Sequence, residues 1–426
     1  MLFLRVSVAL AVMMLFELDV RADDRLDAFI VEALERNPRV LAAASRYEAA
    51  LDAGAVASTL PDPVFGITQF LSPIETRVGP QSTVLSISQA VPWFGTLGSR
   101  AELAEHEAAA MEEMVLAERA ETVMQVKHAY YELGFIDEAL ATTREGLELL
   151  RHYEALARAR YAQGVGLQQA VIKLQAEVTQ ELNQVRVLER QRVDAEVTLN
   201  ALRDRAPETP IETVSLGVRP EVDFDLDKLY EAARHYRPEL RASSYRIEKT
   251  EQALDLAHRT GRPGFTVGAA WTNVLRRRDI AGELTPPEDD GKNAFSLSLG
   301  VKLPLFSGKY DAGVRESAGR VAAARSEHHS NVRSVEASVR AVSFRIQTLD
   351  EQLALYENAL LPQSEQALTS SEAAYSTGTV GVLDLLDSER MLLEVRLGRT
   401  RLQADFLRAC AELERVVGQN LHEVST

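Results

Sequence analysis

Two hydrophobic periods run along this chain. Between residues 332 and 360, Val332, Val335, Val339, Val342, Ile346, Leu349, Leu353, Tyr356 and Leu360 fall alternately three and four apart. That spacing is the seam of a coiled coil. Leu402, Phe406, Ala409, Leu413 and Val416 repeat it nearer the C-terminus. Elsewhere the period is two. Phe295, Leu297, Leu299, Val301 and Leu303 interleave with Ser296, Ser298, Gly300 and Lys302. Leu85 and Ile87 alternate with Ser86 and Ser88, and Phe265, Val267, Ala269 and Trp271 with Thr266, Gly268 and Ala270. Such strands have one apolar and one polar face, as in a barrel wall between lipid and a wet lumen or in a soluble sandwich.

The order of these periods occurs twice. Leu26-Asp27 leading to Asn37-Pro38 is matched by Leu226-Asp227 leading to Arg237-Pro238. Val91-Pro92-Trp93-Phe94-Gly95 is matched by Leu303-Pro304-Leu305-Phe306-Ser307-Gly308, and Tyr161-Ala162-Gln163-Gly164 by Tyr375-Ser376-Thr377-Gly378. Three ordered markers at an offset of about 200 residues indicate an internal duplication. Each copy predicts an amphipathic helix (26–60, 226–259) and then two strands (64–71 with 84–91, 265–275 with 294–303). A very long helix (96–160, 309–374) and a shorter one (167–203, 382–417) follow. The second copy carries an extra polar loop at 276–293. The expected domains are a first repeat at 23–205, a linker at 206–225 and a second repeat at 226–420. No proline lies between Lys309 and Leu361, so nothing in that stretch forces a break. At 1.5 Å per residue the long helix extends about 100 Å, a rod rather than an enzyme core. Four strands cannot enclose a channel, so several chains must share one barrel if a barrel exists.

Residues 1–22 read as a secretory signal, with Arg5 as the basic n-region, Val6 to Phe16 as a short apolar core and Val20-Arg21-Ala22 as the cleavage site. The mature chain is expected to begin at Asp23. Cys410 is the one cysteine, so neither an internal disulfide nor a lipid acceptor behind the signal is available. A net charge of −16 disfavours nucleic acid as a partner. Catalytic and nucleotide-binding signatures such as HExxH, a Walker loop or G-x-S-x-G are missing, and no cofactor or metal site is expected. His328 and His329 adjoin, and His328 falls on the heptad seam beside Arg325, where a polar residue sets register.

The duplicated order of helix, hairpin, long helix and shorter helix resembles the outer-membrane efflux proteins of the TolC family. So do Ser88-Gln89-Ala90-Val91-Pro92-Trp93-Phe94-Gly95 and the two Tyr-x-x-Gly turns. Leu60-Pro61-Asp62-Pro63 is most similar to members paired with heavy-metal exporters of the RND class. The resemblance implies an α+β membrane protein, a homotrimer with a twelve-stranded outer-membrane β-barrel on a long periplasmic α-helical barrel. It implies a passive exit duct, not an enzyme, in a tripartite efflux or type I secretion system. Its partners would be outer-membrane lipid, a periplasmic adaptor and an inner-membrane RND or ABC pump. A periplasmic coiled-coil adaptor or structural protein is the alternative; a hydrolase on a helical scaffold lacks any catalytic constellation.

Pro92 with Gly95, and Pro304 with Gly308, would end strand pairing and swing the chain into the long helices. The resemblance places the turns at Gly164 and Gly378 at a periplasmic gate. Asp384 and Asp387, three apart on one helix face, would form an acidic ring there. The first copy has Ala170 and Lys173 in their place. Both aspartates also suit a helix start, and Asp387 is in range of Arg390. Tyr375 matches the tyrosine of the family's tip lock, but Val380 and Ala170 occupy its arginine and aspartate positions. That lock cannot form, so other contacts must hold the tip or it is looser. Trp93 and Trp271 suit an aromatic belt or an ordinary core.

Overall fold

A computed structural model of the protein describes residues 24–220 and 225–421. The expected signal segment lies outside the described residues. The first copy folds as α1 (Asp24–Arg36), α2 (Pro38–Ser58), β1 (Val64–Ile74), β2 (Gln81–Val91), α3 (Thr96–Ala162) and α4 (Gln168–Leu202). The second folds as α5 (Leu226–Tyr236), α6 (Pro238–Thr260), β3 (Gly264–Val274), α7 (Ile280–Leu284), β4 (Ala294–Lys302), α8 (Ser307–Leu355), α9 (Leu361–Ser376) and α10 (Val382–Val417). The helix that opens each copy is therefore two helices, not one. Pro38 and Pro238 lack the N–H that would continue a ladder, and each starts a new helix. The short α7 falls in the extra loop of the second copy.

The second long helix is also interrupted. Residues Tyr356–Leu360 form a π turn between α8 and α9, although no proline lies within it. Pro362 follows immediately, and its ring disfavours the carbonyl of the residue four earlier, so the preceding turn widens. Gly398 of α10 lets the bulge pack, because a Cβ there would lie 2.8 Å from the Tyr356 ring. The heptad seam holds around it, with Val335, Val339, Val342, Ile346 and Leu353 all buried.

The strands form one antiparallel sheet in the order β1-β2-β3-β4. Register aligns Ile67 with Leu85, Leu85 with Trp271, and Trp271 with Phe295. The next row of that face aligns Phe65, Ile87, Ala269 and Leu297. Directly opposed residues of antiparallel strands share a face, so the apolar positions of both copies make one continuous surface. The other face is small and polar, with Gly66, Ser86, Ala270 and Ser296 in one row and Ser88, Gly268 and Ser298 in another. It is also tight: a Cβ on Gly66 would lie 2.8 Å from Ser86 Oγ, and one on Gly268 2.7 Å from Ser298 Oγ. Phe295, Leu297 and Leu299 are 71–83% exposed. No helix among the described residues is long and apolar enough to cross a membrane.

Contacts divide the described chain into two compact units. One takes the segments up to Leu41, from Glu118 to Ala233 and from Glu336 onward; the other takes Ala42–Ala117 and Arg234–Val335. The second unit contains the sheet, and in it His328 Nδ1 lies 2.6 Å from Ser243 Oγ, tying α8 to α6 beside an Arg325–Glu251 pair. In the first unit, Phe29 and Ala33 of α1 pack on Tyr130, Leu133 and Ile136 of α3 and on Leu188 and Leu199 of α4.

The stretch expected as a linker is strapped to this core rather than free. Ile211 and Val214 are buried in it. Asp137 Oδ2 accepts the Val214 N–H at 2.9 Å, and Arg192 Nη2 donates to the Ile211 carbonyl at 2.9 Å. Arg192 Nε bonds Asp137 Oδ1 at 2.6 Å, while Asn200 Nδ2 donates to the Thr209 carbonyl at 2.8 Å. An extended segment without a strand partner needs side chains to satisfy its backbone, and α3 and α4 supply them. Removing one member of a buried ion pair strands the other charge and costs about 3–5 kcal/mol. Asp137→Ala is therefore expected to lower the apparent melting temperature of purified protein and to make the 206–220 segment protease-sensitive. An unchanged melting temperature and digestion pattern would show that the strap is not held by this pair.

Candidate functional site

Both interhelical turns are built alike. At the first, Gly164 takes φ +78°, its N–H bonds the Tyr161 carbonyl at 2.9 Å, and Val165 N–H bonds the Arg160 carbonyl at 3.1 Å. At the second, Gly378 takes φ +77°, bonding Tyr375 at 3.1 Å, and Thr379 bonds Ala374 at 2.9 Å. This pair of bonds satisfies the last carbonyls of a helix and needs a left-handed residue, which glycine supplies without a Cβ clash.

The tyrosines of the two turns differ. Tyr161 is half exposed, whereas Tyr375 is buried among Leu150, Tyr153, Ala157, Leu174 and Leu385. Val380 and Ala170, where the family lock would need charges, pack partly buried on the same apolar cluster. The sequence pattern did not single out the charged residue that joins the two turns. Arg160, at the end of α3, lies over the Tyr375 ring at 4.5 Å and donates to the Ser376 carbonyl at 2.9 Å. It comes from the other copy, and no local motif marks it. The turns are thus joined by one cation and an apolar wedge.

Asp384 and Asp387 are both exposed on α10. Asp384 Oδ2 accepts the Gly381 N–H at 3.1 Å, a helix-start contact. Arg390 pairs bidentately with Glu177 of α4, its Nε 2.7 Å from Oε1, rather than hydrogen-bonding Asp387. At the strand-to-helix junctions the two copies diverge. After Pro92, Gly95 takes φ +78°, and Thr96 N–H bonds the Trp93 carbonyl at 3.0 Å. A Cβ on Gly95 would sit 2.3 Å from Arg259 Nη1, so any other residue would displace that side chain as well as strain the left-handed backbone. Gly308 instead lies in the first turn of α8 without a left-handed φ, and the swing is made between Pro304 and Ser307. The expectation that Gly308 turns the chain is therefore corrected, because helical φ suffices there. Trp93 stacks on Phe265 at 6.0 Å with Phe94 edge-on at 5.7 Å, an aromatic cluster at the sheet's helical end. Among the described residues no grouping has metal-ligand geometry.

A cation over a tyrosine ring contributes about 0.5–1 kcal/mol at an exposed site, and an intramolecular hydrogen bond a net of about 0.5–1.5 kcal/mol. Arg160→Ala is expected to weaken the joined turns by about 1–2 kcal/mol, roughly a 5- to 30-fold shift toward separation. Faster hydrogen exchange across residues 370–382 measures it. Unaltered exchange would show that the apolar wedge alone holds the turns.

The family model described as outer membrane efflux protein matches residues 29–203 and again 229–419. The outer membrane protein TolC of Vibrio cholerae serotype O1 is 24% identical over 193 residues, which cover 45% of this chain and 43% of that one. The toxin and drug export protein A of Aggregatibacter actinomycetemcomitans is 22% identical over 299 residues, covering 67% of this chain and 62% of that one. The matched stretch therefore spans less than two thirds of either curated relative. The crystal structure of the outer membrane protein VceC from Vibrio cholerae superposes with a TM-score of 0.77 at 19% identity, over 93% of this chain and 97% of that one. With the family model matched once in each copy, the chain belongs to the outer membrane efflux protein family.

Proposed function

We propose that three copies of this chain close their four-stranded sheets into one twelve-stranded outer-membrane barrel standing on a periplasmic α-helical barrel. The assembly is a passive exit duct, not an enzyme. An inner-membrane RND or ABC pump, coupled through a periplasmic adaptor, delivers the substrate. The observation that carries this reading is the sheet. Its apolar face runs in register across all four strands and is exposed, while β1 and β4 each pair on one side only among the described residues. An exposed apolar face suits lipid, and unpaired strand edges cannot lie in hydrocarbon. Neighbouring copies would satisfy both. Close-set glycine and serine on the polar face suit the inner, more sharply curved side of such a wall. The Trp93 cluster fits an interfacial aromatic belt.

Asp384 and Asp387 serve this duct as an acidic ring at its periplasmic mouth. Both stay exposed on α10, and the hydrogen bonds of Arg390 go to Glu177 rather than to Asp387. Gly164, Gly378 and Tyr375 are the moving parts of the gate. Six carboxylates at a constriction would draw cations and bind divalent ions from the periplasmic side. In planar bilayers, Asp384→Ala with Asp387→Ala is expected to lower cation selectivity and abolish divalent block while assembly survives. The difference should shrink with salt, because the Debye length falls from about 10 Å at 0.1 M to about 3 Å at 1 M. Selectivity and block that stay unchanged at low salt would reduce these aspartates to helix-start residues.

A further inference from the structure

Three carboxylates that the duct reading leaves unused meet below the turns. Glu177 and Glu181 come from α4 and Glu389 from α10, and all are buried, Glu389 to 4% exposure. Arg390 is the one cation among the groups that act on Glu389, and it is taken up by Glu177. Gly146 of α3 makes the room, since a Cβ there would lie 3.2 Å from Glu389 Oε1. Tyr153 of α3 also faces Glu389, its hydroxyl donating to Glu372 of α9. The surroundings of Glu389 are therefore Glu177 and Glu181 on α4, Tyr153 on α3 with Glu372 of α9 beyond it, and Arg390 on its own helix. Carboxylates outnumber cations.

Glu181 Oε2 is sealed from solvent and has no hydrogen-bond donor. A buried acceptor without a partner is costly. A metal ion would answer it, but no grouping with ligand geometry exists among the described residues. Neutralising a buried carboxylate by protonation lowers such a cost instead.

We propose that Glu389 keeps a proton where α10 lies against α4, and that its loss, which adds a buried charge to Glu177 and Glu181 with one arginine among them, loosens this contact behind Asp384 and Asp387 and makes the duct's tip pH-responsive. The gating consequence rests on the duct reading; the retained proton does not. Burial, then the charges of Glu181 and Glu177, push Glu389 up to about 7 against the pull of Arg390, and Glu181 is raised as well. The sign follows. The packed helices hold a proton that separated helices would release, so the contact is firmest in mild acid and weakens as pH rises through about 7. The loosened-to-packed ratio should rise on the order of tenfold between about pH 6 and about pH 8.

Two readouts test this on the full-length protein. Infrared difference spectra across that range should show a protonated-carboxyl band lost near neutrality. The band should be absent in Glu389→Gln and displaced to lower pH in Glu181→Gln, which removes the neighbouring charge. In planar bilayers the wild-type open fraction should rise with pH, and Glu389→Gln, a permanent mimic of the protonated acid, should stay at the wild type's low-pH level throughout. A carboxyl band that survives in Glu389→Gln, or a pore whose pH response Glu389→Gln leaves intact, overturns the proposal. A wild type that forms no pore at any pH contradicts the duct reading instead, and the infrared band still decides the proton.

Discussion

A sheet that is greasy on one face and unpaired along both edges cannot be at rest in water. Burying the face in lipid removes one penalty and sharpens the other, because hydrocarbon offers no partner for an edge N–H or C=O. The closure proposed above would meet both demands, with β1 and β4 carrying the groups to be paired. The duplication follows from the same constraint. Each copy contributes one hairpin-forming strand pair, β1 with β2 and β3 with β4, and the β2–β3 pairing welds the copies into a single sheet with a common apolar face. A shift of one residue at that weld would turn half of the apolar positions to the wrong side.

The helices solve a different problem. Their seams are apolar, but long helices sliding on a uniform seam have no fixed register. Polar contacts provide it: His328 with Ser243, Arg192 with Asp137 at the strap, and Arg390 with Glu177 near the turns. The turns use the mildest of these devices. Arg160 and the buried Tyr375 ring join the two copies by contacts worth little individually. Val380 and Ala170 add apolar packing beside them.

The elements themselves were legible because their signals are local. Alternation of Phe295, Leu297 and Leu299 located β4, and α10 runs from Val382 to Val417 as its seam implied. What escaped were consequences of prolines at boundaries and of partners far apart in the chain. Pro38 and Pro238 divide helices whose amphipathic pattern continues across them. Pro362 acts backwards on a turn that contains no proline. The matching of Gly95 with Gly308 suggested equal roles, yet only Gly95 is left-handed. Arg160 and Glu389 look like solvated helix charges until α3, α4, α9 and α10 are packed together. The aspartates of the proposed ring are conspicuous in sequence, but their function depends on neighbouring copies, which no single chain displays.

The central claim is that one chain's sheet is a fraction of a barrel. Electron microscopy and native mass spectrometry of the full-length protein, purified from membranes in mild detergent, test it most directly. The account predicts three chains per particle, twelve strands in a closed wall with β4 of each copy paired to β1 of the next, and the row of Ile67, Leu85, Trp271 and Phe295 facing the detergent. A stable monomer in the absence of detergent, or an assembly with that row turned inward, would contradict it.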